Sequence, residues 1–120
     1  MYKYYNVHPQ GYELPDCVIR AITTATGHDY YDIVHMLYTN GISLQCETLN
    51  VKCYEKLLNY DFGFQHFKVD GYTVEELASR FCDHIIIIRI SGHLTVAVFG
   101  VIYDLWDCSD ESATDFWITY

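Results

Sequence analysis

Along the chain, apolar residues recur first at helical spacing and then at strand spacing. After Asp16, a good N-cap residue, Val18, Ile19, Ile22 and Ala25 fall on one helical face until Gly27 supplies a stop. This pattern predicts a first helix over about 16–26. Asp29 can cap a second, in which Tyr30, Ile33, Val34 and Leu37 form a stripe ending at Asn40-Gly41. Val51, Tyr54, Leu57 and Leu58 mark a third helical face. The period then changes, with Phe62 and Phe64 in a short strand-like segment before an Asp70-Gly71 turn. Thr73-Val74-Glu75-Glu76 matches a capping box and opens a short helix carrying Val74, Leu77, Ala78 and Phe81. Beyond it β-branched residues dominate, and segments 85–90, 93–99, 101–107 and 114–120 read as successive strands. The opening residues 1–15, which hold both prolines, read as an irregular arm. Helices that precede a run of strands imply an α+β fold, with N-terminal helices packed against an antiparallel sheet.

Composition narrows the class. A chain of 120 residues that is 51% hydrophobic suits a single domain with its own core. No stretch reaches the roughly 18 consecutive apolar residues of a membrane span. The first six residues show no secretion signal, so a cytoplasmic setting is expected. A net charge of −9 repels phosphate backbones and anionic lipid, which argues against direct nucleic-acid or membrane partners. Five cysteines, an odd number with no repeated Cys-x-x-Cys unit, are expected to be reduced thiols. Cys46 and Cys53 have no histidine pair at ligand spacing, so neither a metal nor another cofactor is expected. Oligomeric state is not encoded in these patterns.

Three residues stand out chemically. Cys17 directly follows the N-cap position, where free backbone N–H groups and the helix dipole favour a thiolate. His93 opens an apolar strand after Ser91-Gly92. Strands 93–99 and 101–107 are close enough in sequence to form an antiparallel hairpin. With a two-residue turn at Phe99-Gly100, Val98 pairs with Val101 and Thr95 faces Asp104, which makes His93 and Asp104 diagonal neighbours with Cβ atoms within about 7 Å. A turn at Gly100-Val101 leaves both on that same face. Asp107 has the opposite parity and is the substitute should a bulge reverse the register. Cys108 shares the parity of Asp104 and is a rival nucleophile, without a helix N-terminus behind it. A thiol, an imidazole and a carboxylate are what thiol-based acyl transfer requires. The oxyanion would be held by the Cys17 backbone N–H and by the side-chain amide of Asn6 or Gln10.

The order of cysteine, strand-opening histidine and acidic residue on the next strand resembles the papain-like cysteine peptidase superfamily. Asp16-Cys17-Val18-Ile19-Arg20-Ala21-Ile22, with Ala25-Thr26-Gly27 and Tyr30-Tyr31-Asp32, is similar to small uncharacterised phage and bacterial proteins of that fold. So is the segment from Gly92 to Asp107. The resemblance implies a papain-like fold and a peptidase- or isopeptidase-type hydrolase acting on a peptide or protein through a Cys17 thioester, with His93 as base and Asp104 orienting it. The alternative it leaves is an inactive papain-fold binder, a phage-encoded acidic factor that occupies a host protein.

Overall fold

The computed structural model describes residues 1–119. The elements are β1 (Tyr2–Tyr4), α1 (Cys17–Thr26), α2 (Tyr30–Leu44), α3 (Val51–Lys56), β2 (Gln65–Lys68), α4 (Val74–Arg80), β3 (Ile85–Ile90), β4 (His93–Val98), β5 (Val101–Asp104) and β6 (Ala113–Ile118). Four helices surround a six-stranded sheet of order β1-β5-β4-β3-β6-β2, an α+β architecture. The sheet is mixed, because β1 pairs with β5 in parallel while every other pairing is antiparallel. This corrects the expectation of a wholly antiparallel sheet and of an irregular arm. Tyr2-Lys3-Tyr4 is too short for its alternation to mark a strand, and this little-buried edge strand is held by backbone pairing that side-chain pattern does not encode.

The run Ile85–Ile88 lacks alternation for a different reason: both faces of its strand are covered. Ile87 joins Leu94, Val96 and Trp117 beneath α1, α2 and α3, whereas Ile86 and Ile88 join Ala97, Ile102 and Phe116 beneath α4. The molecule is therefore three layers deep, with the sheet in the middle. α1 lies along β4, which brings the helix start close to the strand start.

Local signals explain most boundaries. Gly27 ends α1 in the left-handed region at φ 73°, with its N–H donating to Thr23 O. Phe99 and Gly100 at φ 49° and 85° form a two-residue turn with both central residues left-handed, the hairpin geometry that suits strand twist. Thr73 and Glu76 form the reciprocal capping box, each side chain accepting the other's backbone N–H at 3.1 Å. Thr73→Ala should cost about 1 kcal/mol, read as a lower denaturant midpoint at unchanged slope.

Other boundaries moved. Helix α2 runs to Leu44, past Asn40-Gly41, and α3 continues into a π-helical turn over Leu57–Asp61. Phe62 caps that turn and Phe64 is core, so the strand begins only at Gln65. β5 stops at Asp104. Cys46 and Cys53 are joined in a disulfide, against the expectation of reduced thiols. The loop from α2 into α3 folds back far enough to bring their Cα atoms to 6.8 Å, a proximity that spacing alone does not reveal. No helix among the described residues is long and apolar enough to cross a membrane.

Candidate active site

Three elements meet at one end of the sheet. α1 begins at Cys17, β4 begins at His93 and β5 ends at Asp104, so each chemical group sits at an element terminus. The β4–β5 register pairs Val98 with Val101, Ala97 with Ile102 and Val96 with Tyr103, which is the register of the Phe99-Gly100 turn. His93 and Asp104 become neighbours as that register requires, with Nε2 2.7 Å from Oδ2. The Cys17 thiol lines the same cleft as this imidazole, close enough for each group to shift the other's titration.

Electrostatics separates the charges in the order a thiol nucleophile needs. Burial pushes the Cys17 thiol up, but the His93 hydrogen bond, the Leu94 backbone and the charges of His93 and Arg20 outweigh it and hold the thiol below its ordinary value. Burial would push His93 down, yet hydrogen bonds to Asp104, Cys108 and Cys17 raise it to about 11. Burial raises Asp104 and the His93 contact lowers it, with a net lowering. Each shift favours the charged form: thiolate, imidazolium and carboxylate. Trp106 lies against the imidazole with ring centroids 5.0 Å apart.

Asp104 is itself held from behind. Its Oδ1 accepts from Leu105 N at 2.7 Å and from Arg20 Nη2 at 3.4 Å. Arg20 also donates to Leu14 O at 3.0 Å and to Asp16 Oδ1, while the Tyr30 hydroxyl donates to Asp16 Oδ2. Asp16, Arg20 and Asp104 are all buried. Asp16 thus occupies the N-cap position without capping, because its side chain is bound to Arg20 and Tyr30. Sequence reading missed this network. Its one visible signal was Asp16 and Arg20 four residues apart, on one face of the helix that carries Cys17.

The remaining candidates separate clearly. Asp107 does not reach His93: β5 ends before it, and its exposed carboxylate accepts from Ser109 N at 3.0 Å and from the Ser109 hydroxyl. Cys108 does come to the site, fully buried and 3.9 Å from Asp104 Oδ2, but no substrate reaches a sulfur with no exposed surface. Asn6 and Gln10 are not brought to the thiol's cleft. Asn6 bridges Tyr12 O and His8 N within the arm, and Gln10 Oε1 accepts from the Tyr31 hydroxyl at 2.8 Å.

A cleft of about 350 Å³ opens beside Cys17 and His93. Its walls come from Val18 of α1, Leu49 and Asn50 of the loop before α3, Tyr54 of α3, and Arg89 and Ile90 of β3. Asn50 is the amide side chain that lines it, with Oδ1 accepting from Lys52 N to start α3. Arg89 is already paired, with Asp115 at 2.5 Å and with Glu55 at 3.3 Å. The wall is therefore mostly apolar, and its guanidinium is neutralised. No family model, no curated protein and no solved structure matches the chain.

Proposed function

We propose that the chain is a papain-like cysteine hydrolase of peptidase or isopeptidase type. The observation that carries this reading is the convergence of Cys17, His93 and Asp104 from three element ends, with Cys17 and His93 lining one cleft and Asp104 behind the imidazole. The Cys17 thiolate attacks a carbonyl held in the cleft, and the Cys17 backbone N–H, one of the unpaired donors of the first helical turn, faces the developing oxyanion. His93 gives its proton to the leaving group, a thioester forms on Cys17, and His93 then draws a proton from water to release the acid. Asp104 fixes the ring and steadies the imidazolium, and Arg20 fixes Asp104.

A thiol-directed electrophile tests this. At pH 6, Cys17 should be alkylated faster than Cys82, although Cys82 is the exposed thiol. Asp104→Asn should slow the reaction and Asp107→Asn should leave it unchanged. Equal labelling of the two thiols would remove the basis for a hydrolase. It would favour the second reading, a papain-fold binding protein without chemistry, which one observation supports: Asn6 and Gln10, the amides expected at the oxyanion hole, are committed elsewhere.

A further inference from the structure

Cys108 is a buried thiol that the hydrolytic scheme does not use. Its sulfur, His93 Nε2 or Nδ1 and a carboxylate oxygen of Asp104 all lie within 4.8 Å of one another. We propose that His93, Asp104 and Cys108 form a binding site for a thiophilic divalent cation of the Zn2+ type, and that occupancy reversibly switches off Cys17 by taking its imidazole.

Donor chemistry and atomic placement carry the assignment. Imidazole, carboxylate and thiolate are the three protein donors that Zn2+ accepts, and three such ligands plus water complete a tetrahedron. Bond lengths of about 2.0–2.3 Å place neighbouring donors of a tetrahedral zinc site roughly 3.3–3.7 Å apart. Here Nε2 and Oδ2 are 2.7 Å apart, Oδ2 and the Cys108 sulfur 3.9 Å apart, and no pair of donors exceeds 4.8 Å, so changes of about 1 Å in each spacing suffice. Oδ2 is the oxygen turned toward both partners, whereas Arg20 and the Leu105 N–H occupy Oδ1. The cation supporting Asp104 therefore does not stand where the metal would.

The second such group among the described residues, Glu55, His66 and Asp115, shows the contrast. There Arg89 spans both carboxylates and fills the position an ion would take. On loading the first site, metal–nitrogen, metal–oxygen and metal–sulfur bonds form. The Cys108 thiol proton and the proton shared by Nε2 and Oδ2 pass to solvent, and nothing is oxidised or reduced.

Only the switching half of this inference rests on the hydrolase reading, so binding is tested without activity. In the full chain carrying Cys17→Ser and Cys82→Ser, with Cys46–Cys53 intact, Cys108 is the one thiol left. Titrated with Co2+ alone, this chain should bind one ion and show a thiolate-to-cobalt charge-transfer band. Adding Cys108→Ala should abolish the band and weaken binding about tenfold or more, since even outer-shell partners of a metal are worth that much. Absence of the band, or a band that survives His93→Ala, overturns the site. X-ray absorption on the Zn2+-loaded native sequence reads the same point should the variant fail to fold. One sulfur beside nitrogen and oxygen supports the site, and a shell without sulfur, or with two sulfurs, overturns it. In the native chain, saturating Zn2+ should slow Cys17 alkylation at least tenfold, restored by a chelator. Binding without that slowing would discard the switch and keep the site.

Discussion

Replacing His93 with alanine should lower the alkylation rate of Cys17 at pH 6 by about ten- to thirtyfold and move the midpoint of its pH–rate curve upward. The size follows from thiolate fractions. A thiol with a pKa of ~8.5 is only about 0.3% ionised at pH 6, whereas one paired with an imidazolium is largely thiolate there. That ratio of order 10² is cut several-fold, because a low-pKa thiolate is intrinsically the weaker nucleophile. The direction follows from the balance at Cys17. Burial raises its pKa, and the His93 hydrogen bond and charge are two of the contributions that overcome burial. Without the ring, burial is opposed only by the Leu94 backbone and the Arg20 charge, so the thiol rises. In the native chain His93 stays charged up to about 11, so the rate should climb through the lowered Cys17 value and level off while the imidazole is still charged. A rate at pH 6 within twofold of native in His93→Ala would show that the ring does not support the thiolate.

The meeting of Cys17, His93 and Asp104 was legible in the sequence because each lies at a boundary that the sequence marks. Asp16 and Gly27 bracket α1, and the Phe99-Gly100 turn sets the parity that puts Asp104 beside His93 and Asp107 away from it. What stayed hidden depends on long-range pairing. The strand at Tyr2–Tyr4 is made by its partner β5, and the Cys46–Cys53 bond by the fold of the α2–α3 loop. Asn6 and Gln10 had suitable chemistry and spacing, but the arm turns their side chains into its own hydrogen bonds. The cleft wall at Leu49 and Asn50 falls between recognisable helices, where periodicity is silent.

Arg20→Ala should be the most destabilising single change considered, by about 3–5 kcal/mol. Arg20 is buried, and its guanidinium compensates two carboxylates that are also buried, Asp16 and Asp104. Its removal leaves Asp16 with the Tyr30 hydroxyl, and Asp104 with His93, the Leu105 N–H and the Cys108 thiol. Leu14 O loses its bond from Nη1 and keeps only the Asp16 N–H. A stability of ~0.05–0.15 kcal/mol per residue amounts to roughly 6–18 kcal/mol for a chain of this length, so the loss is a substantial share of the whole. Urea unfolding followed by tryptophan fluorescence reads it as a fall in midpoint at constant slope. A cycle separates charge from packing. Asp16→Asn in the Arg20→Ala background removes one unpaired buried charge, so the double variant should recover part of the loss, by about 1 kcal/mol or more. Simple additivity would mean that Arg20 acts only through the packing of its stem. Because the same guanidinium holds Asp104 Oδ1, Arg20→Ala should also slow Cys17 alkylation under conditions where the variant remains folded, whereas a purely structural arginine would change the midpoint and leave that rate alone.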